Sequence, residues 1–100
     1  MVLSFTSMDH ATAALTFDLT IEKHQFHPSV LEVPTGEKII LIVHNNDTTT
    51  EEFESHDLHR EKIILGKSKA KIILGSLKPG TYHYFGEFHQ STAQGSIVAK

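Results

Sequence analysis

No cysteine occurs anywhere in this 100-residue chain. That single absence removes disulfides, thiolate metal ligands and thiol nucleophiles, and with them copper–thiolate chemistry and papain-like catalysis. Long apolar runs are missing too: stretches such as Ile39 to Val43 fall far short of a membrane span. Nor is there a block of one charge, since nine Lys and Arg are scattered among twelve Asp and Glu. Phosphate tracking along nucleic acid and adhesion to anionic lipid are therefore disfavoured. No nucleophile sits with a base, no glycine-rich loop could cradle phosphate, and no Ser-His-Asp order is visible, so hydrolase readings fail.

What remains is an ordinary globular composition, 39% apolar and 21% charged with a formal charge of -3, in a length that suits one domain. Histidine is the exception, with eight residues. Imidazole is the commonest protein metal ligand and titrates near neutral pH, so the excess points to a metal or pH role without saying which residues serve it. Met1 to Ala14 is weakly apolar and carries Ala11-Thr12-Ala13, like the small-residue end of a secretory signal, but has no basic start and no full apolar core. Residues 1–14 are therefore expected to be a poorly ordered leader or the remnant of a trimmed signal, and residues 15–100 the domain.

Leu15, Phe17, Leu19 and Ile21 alternate with Thr16, Asp18 and Thr20, the period-two pattern of a strand with one face in the core. Pro28 blocks a central strand through Glu22 to Pro28, and Val30 to Val33 is a short strand ended by Pro34-Thr35-Gly36. The aliphatic run within Lys38 to Asn46 suits a strand buried on both faces until Asn45-Asn46-Asp47 stops it. Thr48 to Asp57 reads as a polar, acidic loop. Two Lys-Ile-Ile-Leu pieces, at 62–65 and 71–74, read as two further strands, too short to be a solenoid repeat. After the Pro79-Gly80 turn come an aromatic strand, Thr81 to Phe85, and a terminal strand, Ser96 to Ala99. Short strands punctuated by Gly and Pro, with no helical period, predict an all-β Greek-key sandwich of seven or eight strands. Leu15, Phe17, Leu19, Ile40, Ile42, Ile73, Tyr82 and Val98 are its expected core.

The chemistry is expected between Tyr82 and Gly95, where the aromatic strand breaks at Gly86 into a polar loop holding Glu87 and His89. That stretch resembles the last ligand loop of the cupredoxins, with Gly86 at the cysteine position, His89 kept, and Ala93 at the methionine position. Phe26-His27-Pro28, Val33-Pro34-Thr35-Gly36, Asn45-Asn46-Asp47 and Leu77-Lys78-Pro79-Gly80-Thr81-Tyr82 extend the resemblance over residues 15–100. Glu51-Glu52-Phe53-Glu54-Ser55, Glu61-Lys62 and Gly86-Glu87-Phe88-His89 are similar to the cysteine-poor periplasmic cupredoxins encoded with bacterial ferrous-iron uptake systems. Those work beside an iron permease and a periplasmic metal-binding partner.

The resemblance implies a site made of His24 or His27 from the first loop, Glu52 or its neighbour Glu51 where a blue-copper protein has its first histidine, Glu87, and His89. Imidazoles and carboxylates without thiolate suit Cu(II), Fe or Mn. If the first loop stays extended, His24 shares a face with Phe26, so His24 is the expected ligand there. His44, His56, His59 and His83 are expected at the surface. Tyr82 resembles the corner tyrosine of such sandwiches. The function implied is a periplasmic copper- or iron-binding accessory protein of an iron-uptake system, assisting Fe(II) oxidation or its transfer to a permease. The alternative is a metal-free sandwich whose acidic loop docks a partner protein.

Overall fold

A computed structural model describes residues 13–100, so all but the last two residues of the expected leader lie outside the described residues. Among the described residues, nine strands form two sheets. β1 (Leu15–Glu22), β2 (Gln25–His27), β4 (Lys38–Asn45) and β7 (Lys69–Ser76) make one, in the order β2-β1-β4-β7. β3 (Val30–Val33), β5 (Glu51–Ser55), β6 (Arg60–Ile64), β8 (Gly80–Gly86) and β9 (Gln94–Ala99) make the other, in the order β3-β9-β8-β5-β6. Both sheets are mixed: β1 runs parallel to β4 and β3 parallel to β9, while the remaining pairs are antiparallel. The expected all-β sandwich is the architecture observed. It gains strands β2 and β5 from segments whose prolines, threonines and acids read as loop.

Between the sheets lie Leu19, Ile21, Ile39, Leu41, Val43, Ile72 and Leu74 from one side, and Val33, Phe53, Ile64, Tyr84, Ile97 and Ala99 from the other. Each large aliphatic hidden this way contributes about 1.5 to 3 kcal/mol relative to exposure. Of the expected core only Leu19 is fully buried. Phe17 and Tyr82 are half-buried against the core, Ile40, Ile42 and Val98 are half-buried on outward positions, and Leu15 and Ile73 are exposed, Ile73 at 60%. For Ile40, Ile42, Ile73 and Val98 the correction is one of phase, whereas Leu15 shares the face of buried Leu19 but opens the strand. Side chains alternate with period two, so an error of one residue sends a whole strand's set to the other face, and an unbroken run such as Ile39 to Val43 has no polar residue to mark the phase. Tyr82 keeps its expected corner role, donating its hydroxyl to the Lys78 carbonyl at 2.7 Å.

Two connections position the site at one end of the sandwich. Asn45 is buried, and its amide donates to the carbonyls of Thr49 (2.8 Å) and Ile64 (3.1 Å) while its side-chain oxygen accepts from Asp47 N–H (3.1 Å). That fixes the crossover from β4 to β5, with Asp47 at its start and Glu51 at its end. After β8, a 3₁₀ turn at Glu87–His89 leads back to β9, closed by Ala93 N–H to His89 O at 2.8 Å.

Candidate metal centre

His24 stands on a two-residue hairpin turn between β1 and β2, not on extended chain, so the face-sharing argument with Phe26 does not apply. Lys23 and His24 both take positive φ, 52° and 57°, the conformation a tight hairpin turn demands and one that side chains other than Gly, Asn and Asp seldom adopt. Asp47 explains why it holds here. Its two carboxylate oxygens accept the backbone N–H of Lys23 (2.8 Å) and of His24 (2.9 Å), and one lies 3.4 Å from His24 Nδ1. Partial loss of solvent pushes the pKa of Asp47 up, but the N–H groups of His24 and Lys23 and the nearby imidazoles His24 and His89 outweigh it, holding the carboxyl below its ordinary range.

Glu51 opens β5 with its side chain pointing between the sheets, 2% exposed. Burying a carboxylate is costly unless it is fully bonded, and this one is. One oxygen accepts from Glu52 N–H (3.0 Å) and Phe88 N–H (2.9 Å), and the other lies 2.7 Å from His89 Nδ1. The space it fills belongs to Gly86: a Cβ there would lie 2.6 Å from the Glu51 carboxyl carbon and oxygen and 2.7 Å from the Cβ of buried Ala93. The His24 and His89 rings stack, centroids 3.6 Å apart and planes 13° from parallel. The result is a row of carboxylate, imidazole, imidazole and carboxylate, from Glu51 to Asp47. Both histidines use or offer Nδ1 toward an acid, which leaves Nε2 of each ring as the nitrogen not turned to a carboxylate.

Glu52 and Glu87 gather elsewhere. Glu52 faces away from Glu51 by strand alternation, and its carboxylate, with those of Glu54 and Glu87, can bring one oxygen each to within 4.8 Å of one another on the outer side of β5. Partial desolvation and the negative charge of Glu61, Glu87 and Glu52 hold the Glu54 carboxyl above its ordinary range. Of the expected set, then, the structure brings His24 and His89 into contact, brings Glu52 and Glu87 together apart from them, and leaves His27 exposed on β2. His56, His59 and His83 are exposed, and His44 is half-exposed against Asp18 at 2.8 Å. In the sequence Asp47 reads only as a turn residue. Glu51 was legible in part, because once Glu51-Glu52-Phe53-Glu54-Ser55 is a strand with Phe53 buried, Glu51 must point inward too.

A blue-copper centre does not fit these residues. The position that would supply its thiolate is Gly86, the volume beside it is filled by the Glu51 carboxylate, and Ala93 offers no thioether. Two imidazoles backed by carboxylates do fit Cu(II), which favours nitrogen and oxygen donors.

The chain has relatives among known proteins. Residues 1–99 match the cupredoxin-like domain family, and the chain belongs to it. A Rickettsia prowazekii (strain Madrid E) protein described only as uncharacterized is 57% identical over 84 residues, covering 84% of this chain and 67% of that protein. Among solved structures, auracyanin A, a blue copper protein of Chloroflexus aurantiacus, superposes with a TM-score of 0.74 at 15% identity, over 88% of this chain and all of its own. The metal-binding domain of the Streptococcus pneumoniae D39 Cu(I)-exporting P-type ATPase CopA, solved with Cu(I), gives 0.77 at 13% identity over 87% of this chain and 86% of that one. Amicyanin from Paracoccus versutus gives 0.66 at 16% over 83% and 79%. At such identities the likeness shows the shared fold.

Proposed function

We propose that this chain is a copper-binding accessory protein in which His89 and His24 are the metal ligands and Glu51 is the acid that orients His89. The observation that carries the reading is the buried Glu51 carboxylate at 2.7 Å from His89 Nδ1. A carboxylate on the far nitrogen fixes the tautomer and raises the basicity of a ligating imidazole, and Nε2 is then the nitrogen left to ligate. Asp47 lies beside the corresponding nitrogen of His24, at the longer distance of 3.4 Å. Bound copper would supply a one-electron couple. Glu51 takes the carboxylate place expected for Glu52, while Glu52 and Glu87 remain as the separate outer group. Copper is favoured over iron because the structural relatives named for a metal are copper proteins. The placement in the periplasm, beside an iron permease or a periplasmic metal-binding partner of an iron-uptake system, is supported by the Glu51–Ser55 and Gly86–His89 motifs.

Calorimetric titration of the metal-free chain with Cu(II) and with Fe(II) tests this. One Cu(II) should bind per chain, His89→Ala should abolish binding, and Glu51→Gln should weaken it about 10- to 100-fold, the usual effect of removing such a supporting acid. Glu52→Gln and Glu87→Gln should change affinity much less. Unaltered affinity in both His89→Ala and Glu51→Gln would refute this ligand assignment, and absence of binding by the wild-type chain would transfer it to a metal-free interaction module.

A further inference from the structure

Resting on the two-histidine site proposed above, we infer that His24 is a hinged ligand: its ring must leave the face of His89, turning on a backbone that Asp47 holds fixed, before both imidazoles can hold one ion. The reason is geometric. An imidazole nitrogen coordinates through a lone pair in the plane of its ring, at roughly 2.0 to 2.1 Å for first-row metals such as zinc. Two rings 3.6 Å apart and 13° from parallel have planes that meet only far outside that reach. An ion seated in the plane of one ring therefore lies well off the plane of the other. The stack as it stands offers two parallel donors and no shared coordination position.

The two rings are not equally placed to move. His89 is tied to buried Glu51 at 2.7 Å, and its side chain is 27% exposed. His24 is 40% exposed and its Nδ1 lies 3.4 Å from Asp47, beyond the usual 2.7 to 3.2 Å of an N–H···O bond, so no bond locks its ring. Its backbone is another matter. Both N–H groups of the Lys23-His24 turn end on Asp47, whose own N–H bonds Asn45 Oδ1 (3.1 Å) and whose carbonyl accepts Lys67 N–H (2.8 Å). Asp47 is thus a positioning residue. It keeps the Cα of His24 in place while the side chain rotates, and it waits beside Nδ1 to receive the ring's N–H after rotation.

Zn(II) is a suitable probe because it is diamagnetic and takes imidazole nitrogen. In the metal-free full-length chain, stacking should shift the ring protons of His24 and His89 upfield by mutual ring currents. On adding Zn(II) both sets should lose that shift. Asp47→Ala should lower Zn(II) affinity about 10-fold or more, and Asp47→Asn, which keeps one acceptor oxygen, should fall between. Zn(II) binding at His89 with the His24 ring signals still upfield overturns the hinge and leaves the His89 site standing. Folded Asp47→Ala with undiminished affinity does the same. If the wild-type chain binds neither Zn(II) nor Cu(II), the site itself is refuted and the hinge with it. The wild-type ring shifts need no variant, so they decide the matter even if Asp47→Ala fails to fold.

Discussion

Gly86→Ala adds a single methyl group where the structure has no room for one. The new Cβ would fall 2.6 Å from the Glu51 carboxylate and 2.7 Å from Ala93 Cβ, so at least one neighbour must move. Overpacking of this kind costs about 1 to 3 kcal/mol. Displacing Glu51 also weakens charge-assisted bonds to Phe88, Glu52 and His89, each worth about 1.5 to 3 kcal/mol. With one such bond lost, about 2.5 to 6 kcal/mol of destabilisation is expected. Since 1 kcal/mol shifts Tm by about 4 to 8 °C in a domain of this size, the midpoint should fall by 10 °C or more. Urea unfolding of wild type, Gly86→Ala, Glu51→Ala and the double variant gives the cycle. Glu51→Ala alone is destabilising, because it strands the Phe88 N–H and His89. Combined with Gly86→Ala it removes the larger clash, so the two costs should fall short of additive by about 1 kcal/mol or more, the size seen for residues in contact. Ala93 stays, so rescue is partial. A Gly86→Ala midpoint within experimental error of wild type would refute the picture of Glu51 filling the space beside Gly86.

The Tyr84 hydroxyl is buried without a hydrogen-bond partner among the described residues, its ring packed between Phe53 (5.0 Å) and Phe26 (4.9 Å). Tyr84→Phe should therefore stabilise the chain by about 1 kcal/mol, the desolvation cost it removes; a loss of 1 kcal/mol would show that the hydroxyl is bonded after all. Burial pushes the Tyr84 hydroxyl well above the ordinary tyrosine range, so the folded chain holds its proton where the unfolded chain releases it. Stability from this group is complete below about pH 10 and falls as pH rises above it, and thermal melts of Tyr84→Phe from pH 8 to 11 should show a shallower alkaline decline than wild type. Copper-loaded chain should be pale, lacking the intense sulfur-to-copper band that no residue here can produce; an intense visible absorption would mean the ligands are wrongly assigned.

Period-two alternation made β1 legible, and Pro and Gly placed the turns around it. The two Lys-Ile-Ile-Leu pieces show where legibility stopped: β6 buries its second isoleucine, Ile64, and exposes Ile63, whereas β7 buries its first, Ile72, with Leu74, and exposes Ile73. Identical letters fold in opposite phase because the partner strand and sheet, not the local sequence, decide which face is inside. At the site, His89 could be found from its loop, and a carboxylate from β5 could be expected without saying which one. The Lys23-His24 turn was hidden because neither residue signals positive φ. What permits it is a carboxylate 23 and 24 residues further along the chain, and no local pattern reports a partner at that distance.

His24 is carried by the hairpin of the four-stranded sheet and His89 by a loop of the five-stranded one, so the two rings touch across the boundary between the layers. Their acids, Asp47 and Glu51, sit at either end of a short segment that crosses that boundary, the link from β4 to β5. Any ligand shared by both imidazoles is therefore also a clasp on the open end of the sandwich. At 100 times its dissociation constant such a ligand would add about 2.7 kcal/mol to the folded state, and the first effect of losing it would be felt as a loosening between layers rather than within either one.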